Sequence, residues 1–375
     1  MKVCQWLMTV AIFAVPAATS MGQAPVITSF QGNGLLSWTN ANQSNTLYRV
    51  EWAAQADGPW YRNLDNIGSI DSRSATGFTV SVPMFYRVVL STNRLPVDMK
   101  WIDEGDVQIG DLGIEEPVHT ARVSGFWIDT KEVSITLWHK VRSWSITNGY
   151  SYSAFPPSTP TNSRLPVQTV NWFDAVKWCN ARSEMEGLEP VYRYIPTGFV
   201  FFATYKTGEI NLSNSWVNMD ATGYRLPTEA EWEKAARGGR QGWLFPWARN
   251  TVTHNDAAYY STNIHSYDVS QTSGNNPDLP VGVGVFPGGS FPANGYGLYD
   301  MAGNAWEWCW DWWQTPYSGN YTTNPLGPPT GTFRVMRGGG TGYYIPHALP
   351  CAARGQQQPN LANQGVGFRT VRRGW

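Results

Sequence analysis

The cysteines have the most evident chemistry in this chain, since thiols pair as disulfides and thiolates bind soft metal ions. Four are present: Cys4, Cys179, Cys309 and Cys351. Cys4 lies in an N-terminal segment that we expect to be removed on export, which leaves three. Because three is an odd number, at least one thiol of the exported protein is predicted to stay free.

The histidines form no metal-binding motif with a short, regular spacing. They are His119, His139, His254, His265 and His347. No two of them have the HxH, HxxxH or HExxH spacing that would bring two imidazoles to one metal ion. An iron site of two histidines and one carboxylate stays open, because its ligands need not be close in sequence. We interpret His347 as a solvated loop residue.

Other catalytic signatures are missing as well. The sequence has no Gly-x-Ser-x-Gly elbow and no phosphate-binding loop, and Gly338–Gly340, with no lysine after it, predicts a tight turn. Glu229, Glu231 and Glu233 alternate along the chain and cannot all share one helix face. We therefore interpret Glu229 and Glu231 as buried partners of arginines rather than as catalytic acids.

The run Trp306–Trp313, WEWCWDWW, has a ring at every second position. Alternate rings could line a groove for a sugar or a peptide, or they could fill a core. We favour the core interpretation, in which Cys309 is a buried and inert thiol.

Composition and the N-terminal residues limit the class of protein. A net charge of -1 with no basic block argues against nucleic-acid binding, and 20 Trp, 37 Gly and 25 Pro predict a loop-rich fold. Residues 1–22 have a basic Lys2, an apolar run from Trp6 to Val15 and small residues after it, which is typical of a secretory signal peptide. The run is too short to span a membrane, and no other stretch is long enough. The protein is predicted to be exported.

Two kinds of element are expected to position these residues. Residues 25–92 contain short alternating runs at 35–38, 47–52, 78–80 and 85–89, which predict a small all-β sandwich. Further on, Asn171 is a predicted N-cap for a helix, and Thr228 with Glu231 forms a capping box for a second helix that ends at Gly238–Gly239.

Several motifs after these residues occur in the order of one known family. They are PVQTVNW from Pro166, YRLPTEAEWE from Tyr224, NGYGLYDM from Asn294, GNAWEW from Gly303, RVMRGG from Arg334 and GFR from Gly367. Together they make residues 97–372 resemble the sulfatase-modifying-factor, or formylglycine-generating enzyme, family. The resemblance implies an α+β, loop-rich C-type-lectin-like fold, here preceded by the β-sandwich. The segment 25–92 resembles a fibronectin type III module, which we interpret as a spacer.

The resemblance implies a copper-dependent oxidase that converts a sulfatase cysteine to formylglycine, and this chain departs from it. The family binds copper with two cysteines shortly after an Arg-Gly-Gly-Ser segment. Here that loop contains Gly340 in place of the serine, then His347, and Cys351 as its one cysteine. The resemblance makes Cys351 and Cys179 halves of family disulfides whose partner positions are Ala236 and Thr370. No catalytic residue and no copper are therefore expected.

The resemblance preserves a calcium site better than the copper site. It implies a structural Ca²⁺ bound by Asp300, Gly303, Ala305 and Glu307, with two carboxylates and two backbone carbonyls as hard oxygen ligands. A second family calcium site is not expected, because Ala258 stands at its asparagine position.

The expected function is therefore that of a non-oxidase family member. We expect a monomer that binds a protein, peptide or glycan outside the cell on a calcium-stabilised scaffold. The alternative is a formylglycine-generating oxidase with an atypical metal site, for example one that joins Cys351 to Cys309.

Overall fold

The chain divides into two compact units, Met1–Val97 and Asp98–Trp375. The computed structural model describes residues 98–153, 164–197, 202–262, 264–279, 284–317, 322–341 and 346–373, together with four strands of the first unit. The predicted signal segment 1–22 and the predicted strand 78–80 lie outside the described residues.

The first unit has two antiparallel strand pairs. Its strands are β1 (Ile27–Phe30), β2 (Leu36–Trp38), β3 (Tyr48–Ala53) and β4 (Phe85–Leu90). Strand β1 pairs with β2, and β3 pairs with β4 over six residues, from Tyr48 opposite Leu90 to Ala53 opposite Phe85. The predicted strands at 35–38, 47–52 and 85–89 are thus confirmed, while the sandwich and the fibronectin likeness stay predictions.

The described residues of the second unit combine many short strands with three α-helices, an α+β architecture. The helices are α1 (Ile135–Ile146), α2 (Trp172–Met185) and α3 (Glu229–Ala236). The longer strands are β5 (Met99–Ile102), β6 (Gly105–Asp111), β7 (Glu115–Val123), β8 (Phe126–Asp129), β14 (Trp306–Trp312), β16 (Arg334–Arg337), β17 (Arg354–Gln357) and β19 (Val371–Arg373). Two- or three-residue elements are β9 (Arg193–Tyr194), β10 (Ala203–Thr204), β11 (Tyr224–Arg225), β12 (Tyr260–Ser261), β13 (Gly274–Asn275), β15 (Thr322–Thr323), β18 (Val366–Gly367) and the 3₁₀ turns Asn214–Trp216 and Pro346–Ala348.

These strands form three larger sheets. Their orders are β11-β19-β8-β5, β17-β16-β14-β18 and β15-β7-β6, and β9-β10 and β12-β13 form separate pairs. In the second sheet β14 is antiparallel to β16 and parallel to β18. The C-terminal strands β18 and β19 therefore join sheets whose other strands come from distant parts of the sequence.

The two predicted helices begin where their caps indicated. The Asn171 side chain accepts a hydrogen bond from the Asp174 N–H at 2.8 Å, which fixes the start of α2. Thr228 and Glu231 form the reciprocal capping box of α3. Helix α1, which begins after the N-cap Ser134, was not predicted.

Aromatic rings fill most of the interior. Trp138 and Trp178 stack with centroids 5.9 Å apart, and Trp308, Trp310 and Trp312 of β14 are all buried. The core interpretation is therefore confirmed for these three rings, whereas Trp306 and Trp313 at the ends of the run are half-buried. Among the described residues, no helix is long and apolar enough to cross a membrane.

Candidate functional site

The acidic residues of α3 are held by arginines. Arg225 donates to both oxygens of Glu231 at 2.6 Å, and Arg354 donates to both oxygens of Glu229 at 2.6 and 2.9 Å. In such bidentate contacts both oxygens of each carboxylate accept a hydrogen bond from one guanidinium group, which fixes the orientation of the carboxylate. The interpretation of Glu229 and Glu231 as structural acids is confirmed.

The three described cysteines are free and fully buried. Cys309 and Cys351 belong to the same hydrophobic cluster, whereas Cys179 lies in another. Burial raises the pKa of the Cys351 thiol to about 12, and burial likewise raises the pKa of Cys309 and Cys179 well above its usual value. A thiolate is the form that binds copper or attacks a substrate, so these positions disfavour both reactions.

The structure places each orphaned disulfide half in packed surroundings. Ala236, at the partner position of Cys351, belongs to the same apolar cluster as that thiol. Thr370, at the partner position of Cys179, instead anchors a polar network: its hydroxyl donates to Asp129 at 2.5 Å and accepts from Arg182 at 3.0 Å. Polar and apolar contacts thus occupy the two positions where the family resemblance implied covalent bonds.

We expect the thiols of Cys179, Cys309 and Cys351 to resist alkylation in the native protein at mildly alkaline pH. After unfolding without reductant, all three should react, because burial and not a disulfide protects them. Peptide mapping by mass spectrometry measures both states. A peptide pair that stays linked after unfolding would contradict the free thiols, and rapid native labelling of any one would contradict its burial.

The loop that corresponds to the family's catalytic segment is only partly described, since residues 342–345 lie outside the described ranges. Gly340 is buried, and a Cβ added to it would lie 3.3 Å from Trp306 Cδ1 and 3.4 Å from the Asn304 carbonyl oxygen. A side chain at this position would therefore be tightly confined against the start of β14.

Beyond that gap the structure joins two histidines that the sequence left unconnected. The rings of His347 and His265 lie 6.2 Å apart, and His265 stacks on Tyr267 at 4.8 Å. Desolvation, and second the neighbouring His265, lower the pKa of His347, whose side chain is largely exposed. The described residues contain no group of three His, Cys, Asp or Glu side chains arranged to hold a metal ion.

A cavity of about 480 Å³ lies next to this loop. Its lining residues are Gln108, Asp111, Leu112, Gly242, Trp243, Leu244, Asn250, Ser266 and Tyr267. Two contacts connect it to the loop: Tyr267 carries the stacked His265, and the Leu244 carbonyl accepts from the Cys351 N–H at 2.7 Å. Trp243 is 41% exposed. Rings and a few polar groups in one concave site are typical of a ligand pocket.

The predicted calcium ligands lie together at the start of β14. Asp300, Gly303, Ala305 and Glu307 are all buried, and Asp300 and Gly303 have left-handed φ angles of 57° and 82°. Only glycine fits position 303, because an added Cβ would be 2.4 Å from the Ala258 carbonyl oxygen. The tight turn therefore brings the proposed ligands to one place.

One residue of this region was not identified as a site residue from the sequence. Glu132 follows β8 and lies beside Asp300, 168 positions away along the chain, and each carboxylate has one buried oxygen without a hydrogen-bond partner. Its distance from Asp300 along the chain gave no indication that the two would be neighbours.

The chain is similar to several known proteins. Residues 88–374 match the family described as "Sulfatase-modifying factor enzyme 1-like domain". The formylglycine-generating enzyme of Bos taurus is 31% identical over 292 residues, which are 73% of this chain and 72% of that protein. "Chaperone protein LppX" of Paenibacillus barcinonensis is 31% identical over 230 residues, 58% of this chain and 70% of that protein.

The fold also has relatives among solved structures. Treponema denticola variable protein 1 superposes with a TM-score of 0.56 at 29% identity, over 74% of this chain and 95% of that one. The α+β unit described above is therefore the fold that this similarity covers.

Proposed function

The chain belongs to the sulfatase-modifying-factor-enzyme-1-like family, and we propose that it is an exported, non-oxidase member that binds a protein, peptide or glycan outside the cell. The observation that supports this proposal most strongly is the burial of Cys179, Cys309 and Cys351. A cysteine oxidase needs thiolates that reach both a metal ion and a substrate, whereas these three thiols are 0% exposed and have raised pKa values.

The cavity beside the loop is the proposed ligand site. Trp243 and Tyr267 present ring surfaces, and Asp111, Gln108 and Asn250 add polar groups. Aromatic faces pack against sugar rings or apolar side chains, while the polar groups orient the ligand. The similarity to a protein named as a chaperone supports a binding role as well.

We also propose that calcium stabilises the loops of this scaffold. The residues fit a hard cation, because Asp300 has a buried Oδ1 with no hydrogen-bond donor among the described residues. When bound, calcium would supply positive charge to buried oxygen atoms. Asp300 and Glu307, with the Gly303 and Ala305 carbonyls, would hold it.

An oxidase with a rearranged copper site is the alternative, since Cys309 and Cys351 share one apolar cluster. Metal analysis of the purified chain, with oxygen consumption measured on a Cys-x-Pro-x-Arg peptide after Cu(I) addition, separates the two. We expect no peptide-dependent oxygen uptake. Stoichiometric copper with turnover, lost in Cys351→Ala, would replace the binding proposal by the oxidase.

The ligand site has its own test. We expect binders selected from peptide and glycan arrays to lose affinity by about tenfold or more in Trp243→Ala, as is usual for a central aromatic contact. Trp101→Ala is the matched control, because Trp101 has nearly the same exposure, 39% against 41%, and does not line the cavity. Equal loss in both variants would argue against this cavity.

A further inference from the structure

Two buried carboxylates each have one oxygen that accepts a hydrogen bond and one that has no donor among the described residues. Glu132 and Asp300 are 5% and 3% exposed. Glu132 Oε1 accepts from Asn304 Nδ2 at 3.0 Å, and Asp300 Oδ2 accepts from the Gly289 N–H at 2.6 Å. Their other oxygens, Oε2 and Oδ1, find no donor among the described residues. A buried carboxylate oxygen without a donor or a cation is costly.

The two carboxyl groups are close enough that the charge of Asp300 acts on Glu132. Burial first, and the charge of Asp300 second, raise the pKa of Glu132. Fully ionised, both groups can only accept. The pair therefore needs either a proton or a cation between its oxygens.

The negative charges around the two carboxylates outnumber the positive charges. Glu132, Asp300 and Glu307 carry three negative charges when ionised, and Arg369 carries one positive charge, so two negative charges are left. The neighbouring Lys131 places its ammonium 5.4 Å from the Tyr299 ring centre. With this half-buried ammonium counted as well, one uncompensated negative charge is left, so the pair still favours a cation.

Glu307 is already satisfied without a metal ion. Arg369 donates to its Oε2 at 2.7 Å and to its Oε1 at 2.6 Å, and Trp232 Nε1 donates to Oε2 at 2.7 Å. Arg369 and Glu307 therefore neutralise each other, and the remaining negative charges are those of Glu132 and Asp300.

We propose that Glu132 supplies the second carboxylate of the calcium site beside Asp300, and that Glu307 is the ion-pair partner of Arg369 rather than a ligand. This rests on the proposed calcium-stabilised scaffold and changes its ligand set. Hard oxygen ligands with two carboxylates suit Ca²⁺.

The same place connects three separate segments. Asn304 donates to Glu132 and accepts from the Phe286 N–H at 2.9 Å, and the Gly289 N–H binds Asp300. A Cβ added to Gly288 would lie 3.6 Å from Glu132 Oε2, so the 284–290 loop lies directly against the pair. A cation there would hold this loop, the start of α1 and the turn before β14 together.

Calcium titration of the full chain after EDTA treatment tests the proposal, with heat of binding and thermal unfolding as readouts. We expect Glu132→Gln and Asp300→Asn to weaken calcium binding by about tenfold or more, since each removes a charged ligand. Glu307→Gln combined with Arg369→Met, which removes the whole ion pair and no net charge, should retain the wild-type affinity, whereas Glu307→Gln alone leaves the Arg369 charge unpaired beside the site. In EDTA, Glu132→Gln should unfold at a temperature equal to or above that of the wild type, because it removes an uncompensated buried charge.

The outcomes distinguish the possible failures. Loss of calcium binding in Glu307→Gln combined with Arg369→Met, with retention in Glu132→Gln, would overturn the new ligand set and leave the calcium scaffold standing. A wild-type chain that binds no calcium would overturn both. Oxidase activity is measured in a separate assay, so its outcome does not decide the outcome of the calcium titration. Circular dichroism checks that each variant is folded, and Asp220→Asn, an exposed carboxylate, is the control for loss of one charge.

Discussion

Arg369→Met is expected to lower the free energy of unfolding by about 3 to 5 kcal/mol, the range for breaking one partner out of a buried ion pair. Arg369 and Glu307 are both fully buried, and the pair is joined by two hydrogen bonds. Arg369 also donates to the Asp129 and Tyr299 carbonyl oxygens at 3.3 and 3.0 Å. Methionine fills similar space but leaves the Glu307 charge and two carbonyls without these donors. Urea unfolding followed by tryptophan fluorescence measures the loss.

Arg373→Met is the matched control, because its partner Asp220 is exposed and such pairs contribute about 0 to 1 kcal/mol. Adding Glu307→Gln to Arg369→Met should recover part of the loss, since the unpaired charge disappears while an acceptor for Trp232 stays. A loss in Arg369→Met as small as in the control would mean that the pair is not buried in solution.

What could be predicted from the sequence was mostly local. Asn171 and Thr228 marked the starts of α2 and α3, because an N-cap acts on backbone groups two or three residues away. Helix α1 has no comparable signal beyond Ser134. Its buried residues are Ile135, Trp138, Val141 and Ser145, and they pack against residues from other parts of the chain.

The site depended on contacts between distant residues, and these could not be derived from the sequence. Glu132 and Asp300 are 168 positions apart, and His265 and His347 are 82 positions apart. The family resemblance supplied Asp300 and Glu307 as possible ligands, since it transfers positions. It could not show that Arg369 occupies both oxygens of Glu307.

The family's cysteine pair is absent from this sequence, and the structure shows where the remaining thiols lie. Cys309 was predicted to be an inert core thiol from its tryptophan neighbours, and the structure buries it completely. Cys351 lies equally deep, although its loop resembles the catalytic segment of the family. The sequence showed which thiols are absent. The packing shows that the three remaining thiols are buried.

Arg337→Met is expected to cost about 1 to 3 kcal/mol, because Glu233 keeps its second partner Arg237 while buried acceptors lose the donors of Arg337. Arg337 is fully buried on β16, and its guanidinium binds Glu233 of α3. It also donates to the Ala352 carbonyl at 2.6 Å and to the Ala353 carbonyl. One side chain thus joins a helix, a strand and the turn that contains Cys351.

Arg369→Met should therefore lose more free energy than Arg337→Met, and the two variants should loosen different regions. In Arg337→Met, hydrogen exchange should accelerate most in residues 349–354, which lose their bonds to the guanidinium. In Arg369→Met, it should accelerate most around Asp129 and Tyr299. Arg337→Lys keeps the charge but cannot make the forked contacts, so its loss should lie between those of Met and wild type. Uniform acceleration in both variants would mean that the unit unfolds as a whole, and that neither arginine holds its own segment.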